Sequence, residues 1–113
     1  MAADTNPAGD IFGGWLMSQM DLAAGNMAAR VALGRVTTVA VEGMQFHHPV
    51  NVGDEVTIYG SINRLGRTSI RLHVKAWSRA NFIEKAVLVT EADFVCVALD
   101  DEGKPRPVKQ GRE

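Results

Sequence analysis

One long helix wrapped by an antiparallel sheet, an α+β domain, is the fold class that the chain predicts. Apolar residues recur at helical spacing from about Gly14 to Leu33, and after Gly34 the period drops to two. The length sets the count. With 113 residues there is room for a single domain, 1–113, and none for a second.

Residues 4–14, rich in Gly, Pro and Asn, read as a loop. In the helix that follows, Leu16, Met17, Met20, Ala23, Ala24, Met27, Ala28 and Val31 share one broad face. Ser18, Gln19, Asn26 and Arg30 lie off it, and Gly34 is the expected stop. Val36 to Phe46 is rich in Val and Thr and reads as a strand, with Gly43 marking a bulge or a close backbone approach. His48 to Asp54 turns. Glu55–Asn63 alternates, with Val56, Ile58 and Ile62 opposite Thr57, Tyr59, Ser61 and Asn63. Arg64-Leu65-Gly66-Arg67 connects a hairpin to Thr68–Trp77, where Ile70, Leu72, Val74 and Ala76 oppose Arg71, His73, Lys75 and Trp77. Ala86–Leu99 is a long strand, apolar on both faces near its end, as expected of a strand covered on both sides. Residues 100–104 turn out of it into a polar tail. The chain starts abruptly before Asp4, and an additional first strand upstream would complete the pattern.

Composition removes several classes of function. With 46% hydrophobic and 22% charged residues the chain is not disordered. A net charge of −1 leaves no basic excess for a nucleic acid backbone. One cysteine, Cys96, excludes an intrachain disulfide and a four-cysteine zinc site. No apolar run is long enough for a membrane span, and no signal pattern opens the chain, which points to the cytosol. A core of this size gains from association with further copies.

Asp21 is the most informative polar residue. At about 100° per residue it falls beside Met17, Ala28 and Ala32, away from the other polar helix positions. It is the carboxylate at the border of the buried face, where burial raises a carboxyl pKa and functional groups concentrate. The competing reading is an ionised edge residue paired with an arginine. Gly13-Gly14 precedes the expected helix, where free amides can hold a developing oxyanion; glycine pairs also occur in plain turns. Gly13 and Asp21 lie about 12 Å apart along a helix axis. Both serve one substrate only if it lies along the helix or if one group comes from another subunit. Asn6 suits the orientation of a water or carbonyl, or an Asx-turn before Pro7. His47, His48 and His73 lack ligand spacing, so no metal is expected, and Cys96 reads as core. Arg67, Thr68 and Ser69 beside Gly66 suit a phosphate, or an ordinary hairpin turn.

The stretch Asn6-Pro7-Ala8-Gly9-Asp10-Ile11-Phe12-Gly13-Gly14-Trp15-Leu16-Met17-Ser18-Gln19-Met20-Asp21 closely resembles the signature of the hotdog-fold acyl-CoA thioesterases, nearest to their YciA-like group. Residues 34–42, 46–54 and 65–70 are similar to the same group. The resemblance implies the hotdog fold, dimers joined sheet edge to sheet edge, active sites at the dimer interface, and further assembly as trimers of dimers. It places the family's helix carboxylate on Asp21, its oxyanion glycine on Gly13, its loop asparagine on Asn6, and coenzyme A contacts at Arg67, Thr68 and Ser69. Many hotdog thioesterases carry a histidine before the two glycines. Phe12 stands there, as is usual for the YciA-like group, and removes one polar contact to the thioester.

Hydrolysis of acyl-CoA thioesters is the expected activity, with coenzyme A as part of the substrate and no separate cofactor. Asp21 would activate water or attack directly. A non-catalytic acyl-CoA-binding or regulatory module is the alternative, and loss of Asp21 would have marked it. A hotdog dehydratase needs a histidine paired with the acid in a hydratase-type motif, which the chain does not show.

Overall fold

In the computed structural model, residues 7–51, 53–80 and 85–108 are described, with side chains from Gly13 onward. The elements run α1 (Pro7–Ala32), β1 (Val36–Phe46), β2 (Glu55–Leu65), β3 (Ser69–Arg79) and β4 (Val87–Ala98). The strands form one antiparallel sheet in the order β1-β4-β3-β2, with α1 across one face. This is the predicted α+β arrangement.

The helix begins seven residues earlier than expected. Pro7 is its first residue. Proline suits a first helical position, because its φ is already set and its missing N–H would have no helical partner. The sequence reading weighted Gly9, Gly13 and Gly14 as breakers. Each costs a helix only about 1 kcal/mol against alanine.

The stop also differs in mechanism. Leu33, not Gly34, takes the left-handed conformation (φ 57°). The Gly34 amide then reaches back to the Ala29 carbonyl at 3.2 Å, closing the helix end. Gly34 leaves room for a guanidinium. A Cβ there would lie 2.7 Å from Nη2 of Arg106, which donates to the last helical carbonyl, Ala32 O, at 2.8 Å.

Leu16, Met20, Ala24, Ala28 and Ala32, four residues apart, form the buried ridge of α1. Their small C-terminal members bring the helix close to the sheet. Opposite lie Ile70, Leu72, Val74 and Ala76 of β3 and Val89, Ala92, Phe94, Cys96 and Ala98 of β4. The expected faces of β2 and β3 hold, except that Ile62 is exposed beside a register shift. The helix is apolar beyond its ridge. Trp15, Met17 and Leu22 stay exposed in the single chain, so the sheet does not cover most of its circumference. On the outer face of β4, Val95 and Val97 are only half-buried, so within one chain this strand is covered on one side. Val108 of the tail is fully buried and its amide donates to Arg67 O at 2.9 Å, so the polar tail begins with a core residue.

Candidate active site

Asp21 projects from α1 toward β1. Its Oδ1 accepts a hydrogen bond from Thr38 Oγ1 at 2.6 Å. The residue is exposed in the single chain. Among the described residues no arginine pairs with it.

Thr38 was not singled out in the sequence. A signal was available: Val36 and Thr38 lie two residues apart and face the buried Ala98 and Cys96 across the ladder, so Thr38 places a hydroxyl on an otherwise apolar row. Its partner across the β1–β4 ladder is Cys96, whose Sγ lies 3.7 Å from Thr38 Oγ1. Burial pushes the Cys96 thiol pKa up, and the Asp21 charge adds to it. The thiol is therefore inert, as its apolar setting suggested.

Gly13 lies inside α1. A helix leaves only its first four N–H groups without internal partners, and Gly13 stands beyond them. This corrects the expectation of a free amide at a helix N-terminus. What Gly13 and Gly14 do provide is open surface, since a Cβ at either would meet nothing within 4 Å. Asn6 lies outside the described residues.

The hairpin residues Arg67, Thr68 and Ser69 lie at the same end of the sheet as Thr38 and Cys96. Ser69 pairs with Val97, Ile70 with Cys96, and Thr68 O accepts from the Ala98 amide at 2.9 Å. Ser69 and Thr38 sit two strands apart, roughly 10 Å across the sheet. Arg67 is exposed, and the turn is closed by the Gly66 amide donating to Ser69 O at 2.8 Å.

The opposite face of the sheet carries a chain of charges. Arg71 donates to Glu42 at 2.5 Å and to Asp93 at 3.0 Å. His73 bonds Asp93 at 2.5 Å and Glu91 at 2.7 Å, and His47 bonds Glu91 at 2.8 Å. Hydrogen bonds to Asp93 and then Glu91 raise the His73 pKa, and bonds to the histidines hold Glu91 and Asp93 below the usual carboxylate range. A shallow cavity of about 280 Å³ opens beside Glu42, Gln45 and His73. Among the described residues no group of three ligands could hold a metal ion. No described helix is long and apolar enough to cross a membrane.

The thioesterase superfamily model matches the chain over residues 8–81. The chain is 50% identical over 111 residues to the acyl-CoA thioester hydrolase YciA of Salmonella typhimurium, spanning 96% of this chain and 84% of that one. It is also 50% identical over 109 residues to YciA of Escherichia coli, spanning 94% and 83%. Its structure is similar to a hexameric broad-specificity acyl-coenzyme A thioesterase, with a TM-score of 0.85 and 44% identity over 97% of this chain and 81% of that one. A hexameric thioesterase from Yersinia pestis gives 0.81 and 48% over 95% and 87%. With the helix, the antiparallel sheet and these relatives in agreement, the chain belongs to the thioesterase superfamily, in its hotdog-fold, YciA-like group of acyl-CoA thioester hydrolases.

Proposed function

We propose that Asp21 carries the hydrolysis of acyl-CoA thioesters in this protein, with Thr38 as its positioning residue. The observation behind this reading is the 2.6 Å bond from Thr38 to Oδ1, which orients an exposed carboxylate at the end of the sheet that bears the hairpin. Oδ2 takes a proton from water as the water oxygen bonds to the thioester carbon, or bonds to that carbon itself to give a mixed anhydride. In the first route the C–S bond breaks and the proton held by Asp21 passes to the departing sulfur. In the second coenzyme A leaves as its thiolate, water then cleaves the anhydride to free the acid and Asp21, and the proton released goes to the thiolate.

Gly13 and Gly14 give the thioester a surface without side chains. Asn6 orients the water or the carbonyl, and Arg67, Thr68 and Ser69 hold the coenzyme A phosphates. Because Gly13 and Asp21 are separated by about 12 Å of helix, each faces a substrate shared with a second protomer. The protein works as a dimer or a trimer of dimers, in line with its hexameric neighbours.

Release of free thiol from a panel of acyl-CoAs of different chain lengths tests the reading and sets the acyl preference. Turnover of that panel by wild type and its loss in Asp21→Asn are expected. Unchanged turnover in a folded Asp21→Asn would remove Asp21 from the chemistry, and a fully active 12 kDa species in sedimentation would remove the shared site.

A further inference from the structure

Cys96 is the chain's single cysteine, and it is fully buried. The chemistry proposed for Asp21 does not use it. Its position is nonetheless specific. Thr38 and Cys96 are direct partners in the β1–β4 ladder, and the register shifts immediately after them, where Val39 is the extra residue. A bulge of this kind re-aims the neighbouring side chain.

The direction of the hydrogen bonds follows from counting protons. An ionised carboxylate only accepts, so the single Thr38 hydroxyl proton goes to Asp21 at 2.6 Å. Thr38 Oγ1 then presents a lone pair to Cys96 Sγ at 3.7 Å, and the S–H donates. We propose that Cys96 is a positioning residue: its thiol proton holds the Thr38 hydroxyl in the one orientation that donates to Asp21. This rests on the reading of Asp21 as the reacting carboxylate. Without the thiol proton the hydroxyl is free to turn to other acceptors, and Asp21 loses a fixed orientation.

Packing alone would also explain a buried cysteine, and the two roles separate experimentally. Cys96→Val fills the space without a donor, and Cys96→Ala removes both. Both variants are expected to lower kcat three- to tenfold with KM within about twofold, the scale of one weak hydrogen bond. In a Thr38→Val background, Cys96→Val should cost nothing more. The intact protein provides a second readout, since one cysteine gives one S–H stretching band. That band should move to higher frequency in Thr38→Val. Wild-type kcat in Cys96→Val, an undiminished cost in the Thr38→Val background, or an unmoved S–H band would each overturn the proposal. Retained turnover in Asp21→Asn would instead sink the reading of Asp21 and leave the thiol band as the independent result.

Discussion

The two faces of the sheet hold polar groups of opposite kinds. On the helix side the exposed carboxylate of Asp21, the hydroxyl of Thr38 and the thiol of Cys96 are linked in a row. On the far side six charged or titratable groups, Glu42, Arg71, Asp93, His73, Glu91 and His47, saturate one another. The stronger electrostatic coupling thus lies away from the proposed chemistry. Perturbed titration marks functional sites only on average, because structural ion networks perturb it too. The difference in satisfaction is more telling. Every carboxylate of the outer cluster meets an arginine or a histidine, whereas among the described residues the exposed Asp21 carboxylate meets only the Thr38 hydroxyl.

The sharpest way to break this contrast is to remove one member of each face. Asp21→Ala should lower thiol release by at least about 100-fold while the protein stays folded, the scale of a lost general base. His73→Gln should leave turnover within about twofold. Comparable losses in both would mean that the outer cluster reaches the chemistry.

Next in size is the hairpin. Arg67→Ala should raise KM for acyl-CoA by about tenfold, with little change in kcat, because a charge-assisted contact to phosphate is lost far from the reacting bond. A short acyl thioester lacking the nucleotide should be hydrolysed equally by variant and wild type. If both substrates suffer alike, Arg67 supports the turn or the chemistry.

The outer cluster should show itself in stability against pH. The His73 pKa is raised above its ordinary 6.5, so its contribution is complete below about pH 6.5 and is lost as pH rises through the folded value. Glu91 and Asp93 are lowered from 4.5 and 3.8, so theirs is present above those values and lost as pH falls through the folded ones. The cluster therefore stabilises most between about pH 5 and 6.5. Thermal unfolding at about pH 6 and pH 8.5 should show a larger gap in wild type than in His73→Gln. Equal gaps would mean that the cluster is decorative.

The smallest expected effect concerns the helix end. Leu33 is exposed and left-handed, so Leu33→Gly should stabilise by up to about 1 kcal/mol in denaturant unfolding, without touching turnover. Destabilisation would show that the Leu33 side chain packs usefully in the assembly.

Much of this architecture was readable along the chain. Val36–Phe46 was placed to the residue, the other strands to within two residues at each end, and Gly43 does mark a bulge, with φ 63° and a register shift beside it. Strand period is a local signal, and burial of one face enforces it. Asp21 stood out because a carboxylate beside an apolar helix face is unusual. The start of α1 was missed because glycine and proline were counted as breakers in a segment where proline begins a helix. Arg106 and Val108 were missed because the tail's role depends on what lies beneath it. Arg106 reaches Ala32, 74 residues away.

The alternation of side chains by itself determined which residues face the helix, because a one-residue slip would turn every apolar side chain of a strand outward. The helix motif likewise determined the family. Only the tertiary structure decided that Asp21, Thr38 and Cys96 meet, across separations of 17 and 58 residues. That meeting depends on the ladder that pairs Thr38 with Cys96 and on the small residues that let α1 lie close against the sheet. Local periodicity specifies a face. The register of two strands and the seating of a helix are set by packing the whole core at once.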